Sequence, residues 1–452
     1  MPTYAIRKGY TYETGHRFMT QHGRPLEVTG FLGRGGQGEV YRVRGTDGEY
    51  AVKWYHAAEY LEHIQSGAFY QNLAWNVENG VPTLSSGDAA TQFIWPLDLV
   101  QPADGSFGYV MKLFPEGYEP LKNVFMLRRK NADGTVTDLT WKSWFTCVTA
   151  ALNIVRAFEI LHASGLSYQD LNDGGISLNM HDGSALICDC DNVSPDKTNL
   201  GIRGIMTYMA PEVVRGEKLP DRLTDQYSLA VILFRLFLHG HPMAGRESRQ
   251  LHNSERLSQF QADQLIYGLK PHYCLASHHN ANPPDPVWHA DVCRLALTFP
   301  LRLMDAFEQV FTQGIEDPSM RLTATEWRRV LLEVRDSLLL VDGKEQFFRV
   351  RRPKPLPESC RTLVYPHGMR VLCMPGKILY RCHLDEYGTD FLHPVGKIIP
   401  TSRSGVIGLY NATGAPVRFE ANGREGVCPD HGRLPLLPGM RLFFGGTGVS
   451  VE

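Results

Sequence analysis

Between residues 26 and 47, apolar and polar positions alternate around a cluster of glycines, which predicts two strands joined by a glycine-rich turn. Glu49–Tyr55 (EYAVKWY) continues the strand pattern. Residues 57–79 carry a helical pattern broken near Gly67, and residues 93–100 and 107–113 predict two more strands. The period then changes. Trp144, Phe145, Val148, Leu152, Val155, Phe158 and Leu161 recur at helical spacing and predict a helix over residues 141–163. A loop rich in Asp, Asn and Gly follows. From Thr224 to about Leu340 helical signals dominate, apart from an irregular stretch at residues 270–287. Pro353, Pro355 and Pro357 then mark a linker, and residues 360–452 hold short β-rich runs separated by Gly, Pro and Asn. The pattern predicts an α+β body, preceded over residues 1–25 by a loose arm or an added edge strand and followed by a small all-β, sandwich-like domain.

Composition narrows the chemistry. Lys+Arg total 46 and Asp+Glu 48, a formal charge of -2, which removes any global electrostatic case for binding nucleic acid or anionic lipid. The nine cysteines form no regular framework and suggest a reducing compartment. Cys188 and Cys190 read as small buried strand residues, and Cys360, Cys373, Cys382 and Cys428 lack the paired spacing of a zinc site. The N-terminus shows no secretory h-region. The most apolar run, LAVILFRLFL at residues 229–238, is short and contains Arg235, so it reads as a buried core helix. The expectation is a cytoplasmic protein with neither membrane nor nucleic-acid partners.

The glycine cluster carries the first chemical signal. Gly33, Gly35, Gly36 and Gly38 lie in GRGGQGEV, a GxGxxG sequence followed by strand rather than helix, and the next strand carries Lys53. Glycines there let backbone amides approach phosphate oxygens without Cβ obstruction. On this segment alone, a plain glycine-rich hairpin with a surface lysine fits equally well.

Downstream, five further sequences follow in order. They are Tyr168-Gln169-Asp170, Asp189-Cys190-Asp191, Ala210-Pro211-Glu212, Thr224-Asp225 opening the apolar helix, and Asp317-Pro318-Ser319-Met320-Arg321. With the glycine loop and its lysine, this series over residues 26–340 resembles the protein kinase superfamily. LGRGGQGEVYRV, FIWPLDLV and FGYVMKL, with the all-β tail, further resemble bacterial eukaryotic-like Ser/Thr kinases associated with tellurite-resistance and stress gene clusters. The resemblance implies a bilobal kinase-like fold, with an N-lobe at residues 26–114, a C-lobe at 115–340, a linker at 341–359 and the all-β domain at 360–452. It also implies ATP and Mg²⁺ as cofactors. Asp170 would be the catalytic base and Lys53 would hold the α and β phosphates. Val40 and Ala51 would sandwich the adenine, Met111 would be the gatekeeper, and Lys112 and Phe114 would belong to the hinge. Asp189, with Asp191 in support, would bind the metal, and Glu212 would pair with Arg321. Implied partners are a protein substrate or docking protein, including a von Willebrand-type protein and a phosphatase.

Departures from the family pattern point to an alternative, a pseudokinase that binds nucleotide and signals by docking. Gln169 replaces the arginine before the catalytic aspartate, Asn172 replaces a lysine, and Ile205 replaces the activation-segment threonine. Gly175 replaces the asparagine that ligates a second metal, so restoring Asn there is expected to raise activity. The helix glutamate that pairs with the lysine is unassigned among Glu59, Glu62 and Glu78, with Gln71 as another occupant of the slot. The tail beyond Gly408 resembles a forkhead-associated-type sandwich but lacks its phosphothreonine-binding residues, which favours a structural or docking role.

Overall fold

The computed structural model describes residues 11–56, 67–79, 91–103, 105–131, 133–199, 204–351, 355–366, 368–384, 388–403 and 405–452. Its first unit is a six-stranded antiparallel sheet of β1 (Arg17–Met19), β2 (Pro25–Arg34), β3 (Gly38–Arg44), β4 (Glu49–Tyr55), β5 (Asp98–Ala103) and β6 (Ser106–Lys112), in spatial order β1-β2-β3-β4-β6-β5. The segment before Leu26 thus includes an edge strand, β1, and Tyr12 packs edge-on against Phe18 and Trp54. The strand expected over residues 93–100 begins only at Asp98. Pro96 interrupts the ladder, and Phe93 instead bridges Ile187 of the second lobe.

Helix α1 (Ala68–Asn79) packs on this sheet, burying Phe69, Leu73 and Asn76. The second lobe is built on two apolar helices, α2 (Trp144–Ala163) and α3 (Arg222–Leu238), both almost wholly buried. The Ser143 side chain accepts from the Thr146 amide, so the helix expected from residue 141 starts at Trp144. Asp221 caps α3 in the same way, through the Leu223 and Thr224 amides. Among the described residues α2 is the one helix long and apolar enough to cross a membrane, and 72% of its apolar window is buried inside the protein. It is the axle of the lobe's core, against which α4 (Ala324–Asp336) and Trp327 pack.

The stretch read as a linker begins inside a hairpin, since Leu338–Val341 pairs with Lys344–Phe347. Beyond it, two antiparallel sheets of six and four strands share one apolar core that includes Leu363 and Leu442 from the first and Ile398 and Leu409 from the second. This β unit is fastened to the end of α4. Lys377 donates to the carbonyls of Arg335 (3.0 Å) and Asp336 (3.3 Å), orphan acceptors of the helix C-terminus, and to that of Leu338 (3.3 Å) in the strand that follows. Arg335 donates to the Phe391 carbonyl at 2.9 Å.

Candidate functional site

The glycine loop is the turn between β2 and β3, closed by a bond from the Gly35 amide to the Gly38 carbonyl at 2.8 Å. Gly35 and Gly36 are exposed and a Cβ on either would meet nothing within 4 Å. Gly38 is different, because a Cβ there would collide with the Trp54 carbonyl across the ladder. Gly33 pairs with Val40. Val40 pairs with Lys53 on β4, which pairs with Tyr109 on β6. The alternation of β4 puts Ala51, Lys53 and Tyr55 on one face. Ala51 and Met111 are buried in the core cluster beneath this face, with half-buried Val40 packed against it, while Lys112 at the end of β6 and Phe114 beyond it are exposed.

Opposite this face, β7 (Ile176–Leu178) and β8 (Ala185–Ile187) form a short hairpin. Asp170 precedes it and Asp189 follows it. Asp225, near the start of α3, accepts the backbone amides of Tyr168 (2.6 Å) and Gln169 (2.8 Å), fixing the loop that carries Asp170. Asp189 has the left-handed backbone (φ 47°), and its carboxylate is 54% exposed to the cleft. Lys53 Nζ donates to Asp189 Oδ1 at 3.3 Å, to Asp191 Oδ2 at 2.8 Å and to Gln37 Oε1 at 3.0 Å. Burial pushes the Lys53 amine down, but the Asp191 and Asp189 charges outweigh this and hold its pKa above the ordinary value. The structure thus brings together Lys53, Asp170, Asp189 and Asp191, far apart in the chain, under the glycine loop.

Asp170 is half-buried, and Asn172 Nδ2 donates to its Oδ1 at 3.0 Å and its carbonyl at 2.8 Å. Burial pushes its carboxyl up to about 6, the Asn172 bond opposes this, and the Asp189 and Asp191 charges add to the rise. Ile205 is exposed and offers no hydrogen bond to it, though the adjacent Gly204 approaches closely enough that a Cβ would stand 3.1 Å from Asp170 Oδ1.

The remaining departures prove to be built in. Buried Gln169 donates to Ser167 Oγ (2.9 Å), Ser194 Oγ (2.6 Å) and the Thr198 carbonyl (2.5 Å), and accepts from Asn199 Nδ2 (2.8 Å). A neutral hub therefore holds the segment after Asp191. At Gly175 the asparagine expected to raise activity meets a steric obstacle. A Cβ there would collide with the Tyr168 hydroxyl and lie 3.1 Å from its Cζ. The ring is fixed, since its hydroxyl donates to the Cys188 carbonyl. Tyr168 thus fills the space that a ligating asparagine needs.

Of the helix acids, Glu78 is exposed at the end of α1, while Glu59 and Glu62 lie outside the described residues; Gln71, in the first turn of α1, is exposed as well. Instead of a carboxylate, α1 presents Asn72 and Asn76, which both donate to the Val193 carbonyl at 2.8 and 2.7 Å. Nothing in the helix pattern singled these asparagines out; they became informative only with the Val193 carbonyl beside them. Glu212 and Arg321 form the implied ion pair, bidentate at 2.8 Å for both bonds and buried. Burial pushes the Cys188 and Cys190 thiols well up, so neither is poised as a nucleophile.

The donor set suits a hard cation. Asp189 offers a carboxylate exposed to the cleft, whereas Asp191, expected to support it, is wholly buried with its Oδ2 taken by Lys53 and Tyr55. Among the described residues no cluster of three or more His, Cys, Asp or Glu could hold a metal unaided. Phosphate oxygens of a nucleotide would have to complete the shell, as is usual for Mg²⁺.

The protein kinase domain model matches residues 125–328. Beta-adrenergic receptor kinase 1 of Mesocricetus auratus is 26% identical over 254 residues, covering 54% of this chain and 33% of its own length. Serine/threonine-protein kinase sck2 of Schizosaccharomyces pombe is 30% identical over 105 residues, covering 22% of this chain and 16% of its own. The chain therefore matches a third or less of the length of these curated relatives. Among solved structures, the PknI kinase domain of Mycobacterium tuberculosis is similar over 72% of this chain and 99% of its own, at 18% identity and a TM-score of 0.43. The family match spans Asp170, Asp189, Glu212 and Arg321, so residues 125–328 are similar to a protein kinase domain.

Proposed function

We propose that the chain is an ATP- and Mg²⁺-dependent Ser/Thr protein kinase with an altered catalytic loop. The observation that carries this reading is the convergence of Lys53, Asp189 and Asp170 in one cleft beneath the glycine loop. Phosphoryl transfer needs positioning and charge neutralisation more than covalent help. Lys53 would hold the nucleotide phosphates and Asp189 the metal, which when bound neutralises charge developing on the phosphoryl oxygens. Asp170 orients the acceptor hydroxyl and takes its proton. A carboxyl held near 6 is a better proton acceptor than an ordinary one and is still mostly ionised at neutral pH. The protein partner, including a von Willebrand-type protein or a phosphatase, rests on the resemblance alone.

A second reading, a nucleotide-binding scaffold without turnover, is favoured by one feature: Tyr168 sterically bars a ligand at Gly175. Phosphotransfer from labelled ATP to a protein acceptor, with nucleotide binding measured in parallel, separates the two. The kinase reading expects transfer that Lys53→Met and Asp189→Asn abolish. Nucleotide binding without transfer supports the scaffold, and absence of both overturns both readings.

A further inference from the structure

We infer that Asp191, on the loop that carries Asp189, is the positioning residue for Lys53, in place of an acid on helix α1. This rests on the kinase reading and assigns one residue its task within it. The Asp191 carboxylate is fully buried, at 0% exposure, and its Oδ2 takes both the Lys53 ammonium at 2.8 Å and the Tyr55 hydroxyl at 2.5 Å. The lysine is itself buried, at 9% side-chain exposure, with its ammonium 5.5 Å from the centre of the Tyr55 ring. A buried ammonium needs a paired charge, and Asp191 is the fully buried carboxylate in reach. Asp189 Oδ1 is farther, at 3.3 Å, and that carboxylate is half exposed to the cleft, free to face a metal. On α1 the inward residues are Phe69, Leu73 and Asn76, none acidic.

The origin of the pair changes what controls it. An acid on a mobile helix makes the lysine's position depend on where the helix sits. Asp191 is two residues from Asp189, on one short helical turn, Cys190–Asn192. The lysine anchor and the metal acid therefore move together. Helix α1 follows the same loop, through the Asn72 and Asn76 bonds to the Val193 carbonyl. Among the described residues, Lys53, loop and helix form one unit whose arrangement is set without a charged helix contact.

The test uses the full chain and five substitutions, Lys53→Met, Asp191→Asn, Glu59→Gln, Glu62→Gln and Glu78→Gln, plus the Lys53→Met/Asp191→Asn double. Asp191→Asn keeps the shape and an acceptor for Tyr55 while removing the charge. A fluorescent ATP analogue is titrated at several Mg²⁺ concentrations. The expected result is a tenfold or greater loss of nucleotide affinity in Asp191→Asn, an unchanged Mg²⁺ midpoint, and no further loss in the double beyond Lys53→Met. The three glutamate variants should bind like the parent. A second readout needs no nucleotide. Thermal unfolding of the free protein should show each single substitution lowering Tm, with the double losing less than their sum, because neutralising both members leaves no buried charge unpaired. Additive Tm losses, a shifted Mg²⁺ midpoint in Asp191→Asn, or a matching affinity loss in Glu59→Gln or Glu62→Gln would each overturn the inference. If the parent binds no nucleotide, the kinase reading fails, and the unfolding cycle still decides the pair.

Discussion

Gly175 and Tyr168 form a steric pair whose strength can be worked out from their contact. Replacing Gly175 by Ala places a methyl group against the Tyr168 hydroxyl and 3.1 Å from Cζ, in a site where the ring is buried on all sides. Overpacking of this kind costs about 1–3 kcal/mol. If the ring retreats, the Cys188 carbonyl loses its hydroxyl donor, and a buried acceptor left unpaired costs about 1–3 kcal/mol. Gly175 has no positive φ, so alanine brings no backbone strain, and restricting the unfolded chain returns about 0.4–1 kcal/mol. Together these give a net loss of about 1–5 kcal/mol, centred on ~3 kcal/mol, which is roughly 6–12 °C in Tm at that central value for a lobe of this size. Tyr168→His shortens the ring and opens the space. In that background Gly175→Ala should cost less than about 1 kcal/mol, a coupling of about 2 kcal/mol or more at the central value. Thermal melts of the four proteins, followed by tryptophan fluorescence, measure it. Equal costs in the two backgrounds would refute the steric argument. The same contact predicts that Gly175→Asn lowers stability and adds no metal affinity unless Tyr168→His accompanies it.

Three other outcomes follow from the site and its supports. With the Asp170 carboxyl raised to about 6, chiefly by burial, the base form is lost as pH falls through that value; kcat/KM for phosphotransfer should fall about tenfold per unit below it, and a profile flat down to pH 5 would contradict the role of Asp170. Activity should not require phosphorylation of the segment after Asp191, because Gln169 holds it through neutral bonds and takes only the backbone carbonyl of exposed Thr198; Thr198→Ala should retain activity, whereas Gln169→Ala should raise hydrogen exchange across residues 194–199, and loss of activity on phosphatase treatment would count against it. Asp336 is buried, which alone would raise its pKa, but the His383 charge and hydrogen bond, with Lys377 and Arg335, bring it down to about 2. Its folded value lies below the unfolded one, so it contributes about 2 kcal/mol of stability above pH ~4 that is lost as pH falls toward 2. Acid melts should show that loss, and Asp336→Asn should remove the pH dependence while loosening the β unit from α4; an unchanged acid transition in the variant would show that Asp336 does not anchor the junction.

Much of the local structure was legible because it depends on local rules. Alternation set β2 to β4, and with them the face shared by Ala51, Lys53 and Tyr55. Helical spacing located α2, and Ser143 as a capping residue moved its start by three positions from the expected residue 141. The ordered motifs located Asp170, Asp189 and the Glu212–Arg321 pair, since a buried arginine must meet its carboxylate wherever the chain brings it. What remained open depended on which distant groups share a low-dielectric space. Asp191 looked like a second metal acid, and only the approach of the two lobes, across 138 positions of sequence, set its carboxylate on Lys53. Gly175 looked like a missing ligand until the Tyr168 ring was seen to occupy that volume. The prolines at 353–357 suggested a linker, yet the chain had already turned into the Leu338–Phe347 hairpin, and the β unit had supplied Lys377 to cap α4. A sequence fixes which residues favour strand, helix or turn through interactions a few positions long. Which charge pairs with which, and whether a side chain fits, is decided by packing, because buried groups interact strongly with whatever neighbours the fold gives them and hardly at all with those it does not.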